Sequence, residues 1–142
     1  METDQLHRGR LIDHLHLIVE DLPKCLEFYQ SVLGALNIPM GDIADDHFWA
    51  DELFVSSKDS HAALGQLTGR HHLAFRGDST DAVEAFYRAG LAAGGTDNGA
   101  PGNRPYHPGY YAAFLIDPAG NNIEAVYHGP SYRSAASVEV KF

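Results

Sequence analysis

Ile12-Asp13-His14-Leu15-His16-Leu17-Ile18-Val19 is a strand-like run with a near copy later in the chain. Asp13–Leu36 lies over His71–Gly94 without a gap, matching His14 with His72, Leu15 with Leu73, Phe28 with Phe86, Tyr29 with Tyr87, Leu33 with Leu91 and Ala35 with Ala93, always at an offset of 58. Six identities in one ungapped window mark a duplicated unit. Within the first copy, Ile12, His14, His16 and Ile18 alternate onto one strand face, and Asp13, Leu15, Leu17 and Val19 onto the other. Two imidazoles beside two isoleucines suit a lined cavity better than open solvent.

Outward from these strands the pattern turns helical. Asp21 and Pro23 open a helix over about 22–35, with Leu22, Cys25/Leu26, Phe28/Tyr29, Val32/Leu33 and Leu36 at helical spacing. Asp78-Ser79-Thr80 caps its counterpart over about 79–93, whose buried side is Val83, Phe86/Tyr87 and Leu91. His47–Ala50 and Leu53–Ser56 read as short strands. Gly94–Gly109, rich in Gly, Pro and Asn, reads as one long irregular loop, the kind that carries function. Tyr110–Ile116 and Asn121–His128 form a hairpin about Asp117-Pro118-Ala119-Gly120. Residues 1–10 read as polar and frayed, 58–69 as a polar loop, and 129–142 as a polar tail with a weak strand at Val138–Val140. The expectation is an α+β chain of two βαβββ units, about 11–60 and 69–128, in a single domain over 1–142.

Composition bounds the function. The 142 residues carry a net charge of −9, which disfavours nucleic acid as a partner. No apolar run is long enough to span a bilayer, and the acidic first residues do not resemble a signal peptide, so a cytoplasmic location is expected. The one cysteine, Cys25, falls in a helical pattern and reads as a packing residue rather than a reactive thiol.

The chemistry-bearing residues follow from the repeat. His14 and His72 hold equivalent places, so a pseudo-twofold axis would turn them towards each other. Glu124 is a lone acid in an otherwise uncharged strand, and such residues are seldom buried without a partner. Two histidines and one carboxylate from separate strands make a metal site with open positions. Taken singly, a strand histidine is an ordinary polar residue, and Glu124 an edge or ion-paired acid. The symmetric pair brings the metal reading level with that plain one.

Ile12–Leu17, Asp21-Leu22 with Phe28-Tyr29 and Leu33-Gly34, His72–Phe75 and the ending Asp117-Pro118-Ala119-Gly120-Asn121-Asn122-Ile123-Glu124 together resemble the vicinal oxygen chelate superfamily of glyoxalase I, bleomycin-resistance and fosfomycin-resistance proteins and extradiol dioxygenases. The resemblance runs from about residue 11 to 128. It implies paired βαβββ units forming a curled mixed sheet around a cavity, with a divalent ion (Zn, Ni, Mn, Co or Fe(II)) on His14, His72 and Glu124. It implies a lyase or isomerase acting on a small oxygen-rich substrate, with a dioxygenase or a non-catalytic binding protein as alternatives. It also implies a homodimer, in which some relatives exchange units. Glyoxalase-like enzymes usually add a second glutamate from the first unit, but Asp51 and Glu52 fall in a turn here. Phe114 stands where fosfomycin-resistance proteins carry a tyrosine, which disfavours that activity. His16 or Glu124 would move the proton. Trp49, Arg104, Tyr106, His107, Tyr110 and Phe114 would line the substrate pocket.

Overall fold

Each copy of the repeat folds as a strand that feeds a helix, and the computed structural model describes residues 12–63 and 67–142 together with the backbone of 5–8. A short ribbon comes first, β1 (Gln5–Arg8), followed by β2 (Leu15–Val19), α1 (Leu22–Ala35), β3 (His47–Ala50) and β4 (Leu53–Ser57). The second unit supplies β5 (His72–Arg76), α2 (Thr80–Ala92), β6 (Thr96–Asn103), β7 (Tyr111–Ile116) and β8 (Asn122–Tyr127), and β9 (Val138–Lys141) closes the chain.

The second unit's sheet has the order β5-β8-β7-β6, with β5 parallel to β8 and the rest antiparallel. The first unit repeats this as β2-β4-β3, and its fourth strand is reduced to a single bridge, Ile43 to Phe48. Among the described residues, no ladder joins the two sheets within the chain.

The units meet through their helices. Asp21 Oδ1 accepts from Lys24 N at 3.1 Å and Ser79 Oγ from Ala82 N at 3.0 Å, capping α1 and α2 as their sequences foretell. One apolar core holds Phe28, Tyr29, Val32 and Leu33 of α1, Val83 and Phe86 of α2, and the helix-facing strand residues Leu17, Val55, Leu115 and Ile123. Cys25 lies in that core at 1% exposure, and burial pushes its thiol up to about 12. Tyr29 of α1 crosses to the other unit: its hydroxyl donates to buried Asp117 Oδ2 at 2.6 Å, while its ring meets Phe48 of the first unit and Phe75 of the second.

Four sequence expectations are corrected. Thr96–Asn103, inside the expected irregular loop, is strand β6, bulged where it pairs with β7. Gln5–Arg8 is paired with β9 rather than frayed; the rest of 1–11 lies outside the described residues, as does the expected strand start at Leu11. Leu91 is 41% exposed, and Gly90 takes its place on the buried side of α2. Ile12–His14 precede β2 instead of belonging to it.

Candidate functional site

Side-chain alternation along the second sheet puts the helix-facing apolar residues on one side and His72, Ala74, Arg76, Glu124 and Phe114 on the other. Glu124 is on β8, flanked by Ala74 on β5 and Phe114 on β7, and is only 3% exposed. A carboxylate so buried needs compensation. One oxygen accepts from Tyr110 OH, and the other lies 2.9 Å from His72 Nε2. Burial and this bond push the Tyr110 hydroxyl up to about 12, so it remains a donor.

The His72 ring places a demand on this pair. Its Nδ1 lies 3.1 Å from the carbonyl oxygen of Asn122, which can only accept, so Nδ1 carries the ring proton. The Nε2 of a neutral ring would then turn a lone pair towards the Glu124 oxygen. At 2.9 Å, Nε2 and Oε1 are at hydrogen-bond distance from one another. A nitrogen and a carboxylate oxygen are ligands for a divalent transition ion, so these two residues fit half of such a centre.

The residues around the pair come from β7 and the turn that enters it. Phe114 stacks with His72 at 6.1 Å between ring centroids, and the Arg104 guanidinium lies over the Phe114 ring, 5.4 Å from its centroid. Tyr106, His107 and His128 set their rings edge-on to Tyr110, and His107 Nε2 meets His128 Nδ1 at 2.8 Å. The structure thus brings Arg104, Tyr106, His107, Tyr110 and Phe114 together with His72 and Glu124.

Trp49 and His16 belong to the other sheet, and His14 immediately precedes its first strand. His16, Phe54 and Trp49 form one row across β2, β4 and β3. His16 Nε2 is 2.7 Å from Ser56 Oγ, and burial, then neighbouring His14, lowers its pKa. His14 is exposed and bonded to Asp13 at 2.7 Å. Among the described residues, no group of three or more His, Cys, Asp or Glu side chains converges within one chain.

Two features escaped the sequence. Phe54 is the counterpart of Glu124: His16 pairs with Phe54 as Ala74 pairs with Glu124. The repeat offset of 58 at the first strands has grown to 70 at the last ones (124 against 54), so an ungapped comparison could not match them. The second feature is a dyad. His47 Nδ1 donates to Asp46 Oδ1 at 2.8 Å, and Ser60 Oγ donates to Asp46 Oδ2 at 2.7 Å. These bonds hold the Asp46 carboxyl below its usual range and leave His47 Nε2 free of that partner. His47 stacks on Phe54 at 5.0 Å, on the same face as His16. Asp-His adjacency was the visible signal, and the distant Ser60 was not.

Residues 11–125 match the model of the Glyoxalase/Bleomycin resistance protein/Dioxygenase superfamily. The chain is similar to the crystal structure of a glyoxalase/bleomycin resistance protein from Albidiferax ferrireducens T118, at 29% identity and a TM-score of 0.66 over 82% of this chain and 97% of that one. A glyoxalase-related enzyme from Fulvimarina pelagi shares the fold at 17% identity and a TM-score of 0.67, covering 94% and 98% of the two chains. So does lactoylglutathione lyase from Agrobacterium tumefaciens, at 20% identity and a TM-score of 0.59, covering 83% and 93%. No curated protein sequence matches. No described helix is long and apolar enough to cross a membrane.

Proposed function

Because the chain belongs to the Glyoxalase/Bleomycin resistance protein/Dioxygenase superfamily, we propose that it is a metal-dependent enzyme of glyoxalase-like lyase or isomerase type whose site is completed between two copies. The observation that carries this reading is the His72–Glu124 pair, an imidazole nitrogen and a carboxylate oxygen side by side that would supply two of the ion's ligands. His14 of a second copy is the third. Strands β2 and β5 are both edges of their sheets, and an exposed edge invites another strand, although Thr68 already takes the Ile18 N–H and carbonyl of β2. Ala74 and Arg76 on β5 are exposed and border a cleft of about 380 Å³ between the units. Seating the Leu15–His16 end of β2 of one copy along β5 of the other would cover the β5 edge and bring His14 towards His72 and Glu124.

When bound, the divalent ion would polarise adjacent oxygens of the substrate and stabilise negative charge developing on them. The chain's own residues divide the remaining work. Tyr110 donates to Glu124 and fixes the carboxylate's orientation. His16, neutral at pH 7 by its lowered pKa, and His47, oriented by Asp46, are the imidazoles placed to take or return a proton. Phe54 and Trp49 provide an apolar wall. A dioxygenase is the second reading, favoured by Phe54: with no carboxylate in Glu124's symmetric place, two histidines and one glutamate remain, the facial set of non-haem iron(II) oxygenases. With its single, buried thiol the protein would work in the cytoplasm.

Protein purified without a histidine tag, incubated with Zn, Ni, Mn or Fe(II), should retain about one ion per chain and elute as a dimer, and His72→Ala should lose the ion. Metal below about a tenth of an equivalent would sink the enzyme reading and leave a non-catalytic binding protein. A monomer throughout a dilution series followed by light scattering would sink the shared site.

A further inference from the structure

We propose that Arg104 is an anion-binding residue on the open face of the second sheet, and that the substrate carries a carboxylate or a comparably charged oxygen group. This deepens the reading of that face as the substrate site. The argument begins with the backbone of β6, which shifts register against β7 between Asp97 and Gly99 and again between Gly99 and Gly102. The bulges let the chain fold back so that Arg104 lies over Phe114 of β7. Two glycines make the space. A Cβ at Gly102 would stand 3.1 Å from Arg104 Nη1, and one at Gly99 would stand 3.4 Å from Nη2 and 3.1 Å from the Phe114 ring. Gly99 also has φ +148, a conformation side-chain-bearing residues rarely adopt. Asn98–Arg104 is therefore shaped around a guanidinium.

That guanidinium is held without being neutralised. Nη2 donates to Ala100 O at 2.7 Å and Nη1 to Asn103 O at 3.3 Å. Of five N–H groups, three remain for a ligand. Among the described residues it has no carboxylate partner, although the chain is acidic overall. Arg76, on the same sheet face, is paired with Asp78 at 2.9 Å. A planar, permanently charged fork, anchored by backbone carbonyls and one aromatic ring away from His72, matches two oxygens of an anion bidentately. If Arg104 served only to tie down its own loop, the two carbonyl bonds would be its whole role.

The test compares 4-fluorobenzoate with 4-fluorobenzamide, which are nearly equal in shape and differ in charge, by fluorine NMR titration of the full-length, metal-free protein at pH 7. Arg104 and Phe114 lie in one chain, so the result does not depend on whether a metal or a second copy completes the site. The benzoate should bind at least about tenfold more tightly, the ratio expected of a charge-assisted bidentate contact. Arg104→Gln should bring that ratio near one without weakening the amide. Arg104→Lys, which keeps the charge but not the fork, should retain part of the preference and stands in if the glutamine variant does not fold. Equal affinities in the parent protein, a preference that survives Arg104→Gln, or saturable binding of neither probe would overturn the proposal. Failure to take up metal would defeat the enzyme reading while leaving the anion preference measurable.

Discussion

A site shared between two copies makes a quantitative prediction that a site within one chain does not. His72 and Glu124 are 2.9 Å apart on adjacent strands of one sheet, and His14 precedes the edge strand of a different sheet that, among the described residues, no ladder joins to the first. Each site in a dimer would then take His14 from one copy and His72 with Glu124 from the other. His14→Ala and His72→Ala homodimers have a ligand missing at both sites. A heterodimer of the two variants has one site missing both histidines and one site intact. Co-expressing the variants with two different non-histidine tags and selecting for both tags isolates that heterodimer. It should bind about half the metal of the parent dimer, and an unselected statistical mixture about a quarter. Elemental analysis after exhaustive dialysis reads the number directly, and neither variant alone should exceed the background. A site built within one chain gives no such recovery, since every chain in the heterodimer lacks one ligand. Recovery no greater than background, from a heterodimer shown to be intact by light scattering, would refute the shared arrangement.

Three further outcomes follow from the packing and the repeat. Tyr29→Phe should cost about 2 kcal/mol at neutral pH by removing a hydrogen bond to a buried carboxylate. Burial first, and the Asp117 charge and bond next, raise the Tyr29 pKa well above 10.0. Its stabilisation is therefore whole below about pH 10 and is lost as pH climbs past that value. Urea unfolding between pH 8 and pH 11 should show a flatter alkaline limb for the phenylalanine variant, and parallel limbs would count against it. Gly90→Ala should destabilise despite the better helix former: propensity favours alanine by about 1 kcal/mol, but the new Cβ would lie 2.1 Å from Leu115 Cδ1 and 3.1 Å from Val32 Cγ1. Overpacking of that kind costs about 1–3 kcal/mol, so thermal unfolding should move down, and an unchanged or raised midpoint would mean the helices part easily. Phe54→Glu should supply the fourth ligand that symmetry withholds and tighten Zn binding at least about tenfold. Unchanged affinity in a competition titration would place Phe54 away from the metal.

Much of the fold was legible because its determinants are local. The 3.6-residue period and the caps at Asp21 and Ser79 set α1 and α2 to within a residue or so. Asp117, accepting from the backbone N–H groups of Ala119 and Asn121, fixes the final hairpin. What was hidden depends on partners far away. Thr96–Asn103 has the glycines and proline of a loop, and becomes a strand because β7 offers it an edge and the bulges absorb residues that cannot pair. Gln5–Arg8 has no apolar pattern of its own, and its partner is at the opposite end of the chain. The site divides the same way. Strand alternation puts Glu124 and His72 on one face, but the Tyr110 bond, the Asn122 carbonyl that fixes the His72 proton and the glycine bed under Arg104 arise from tertiary placement.

On the proposed reading, the broken symmetry between the units would explain why one duplicated scaffold holds one centre rather than two. At the position beside the first strand's second face residue, the second unit carries Glu124 next to Ala74, and the first carries Phe54 next to His16. Each unit keeps the leading histidine, so on that reading the carboxylate would decide which of them binds a cation. A buried carboxylate is costly in an apolar setting, and the second unit offsets that cost with Tyr110 and His72. The first unit lacks the carboxylate, so it has no such cost and its face is free to be aromatic: Phe54, stacked on His47 and edged by His16. His72, Glu124 and Arg104 are concentrated on one wall, and apolar surface with two imidazoles on the other. A substrate between them would present its oxygens to the second unit and its carbon skeleton, with any proton to be moved, to the first. Arg104 belongs to the charged wall, which is where an anionic end of the substrate would lie.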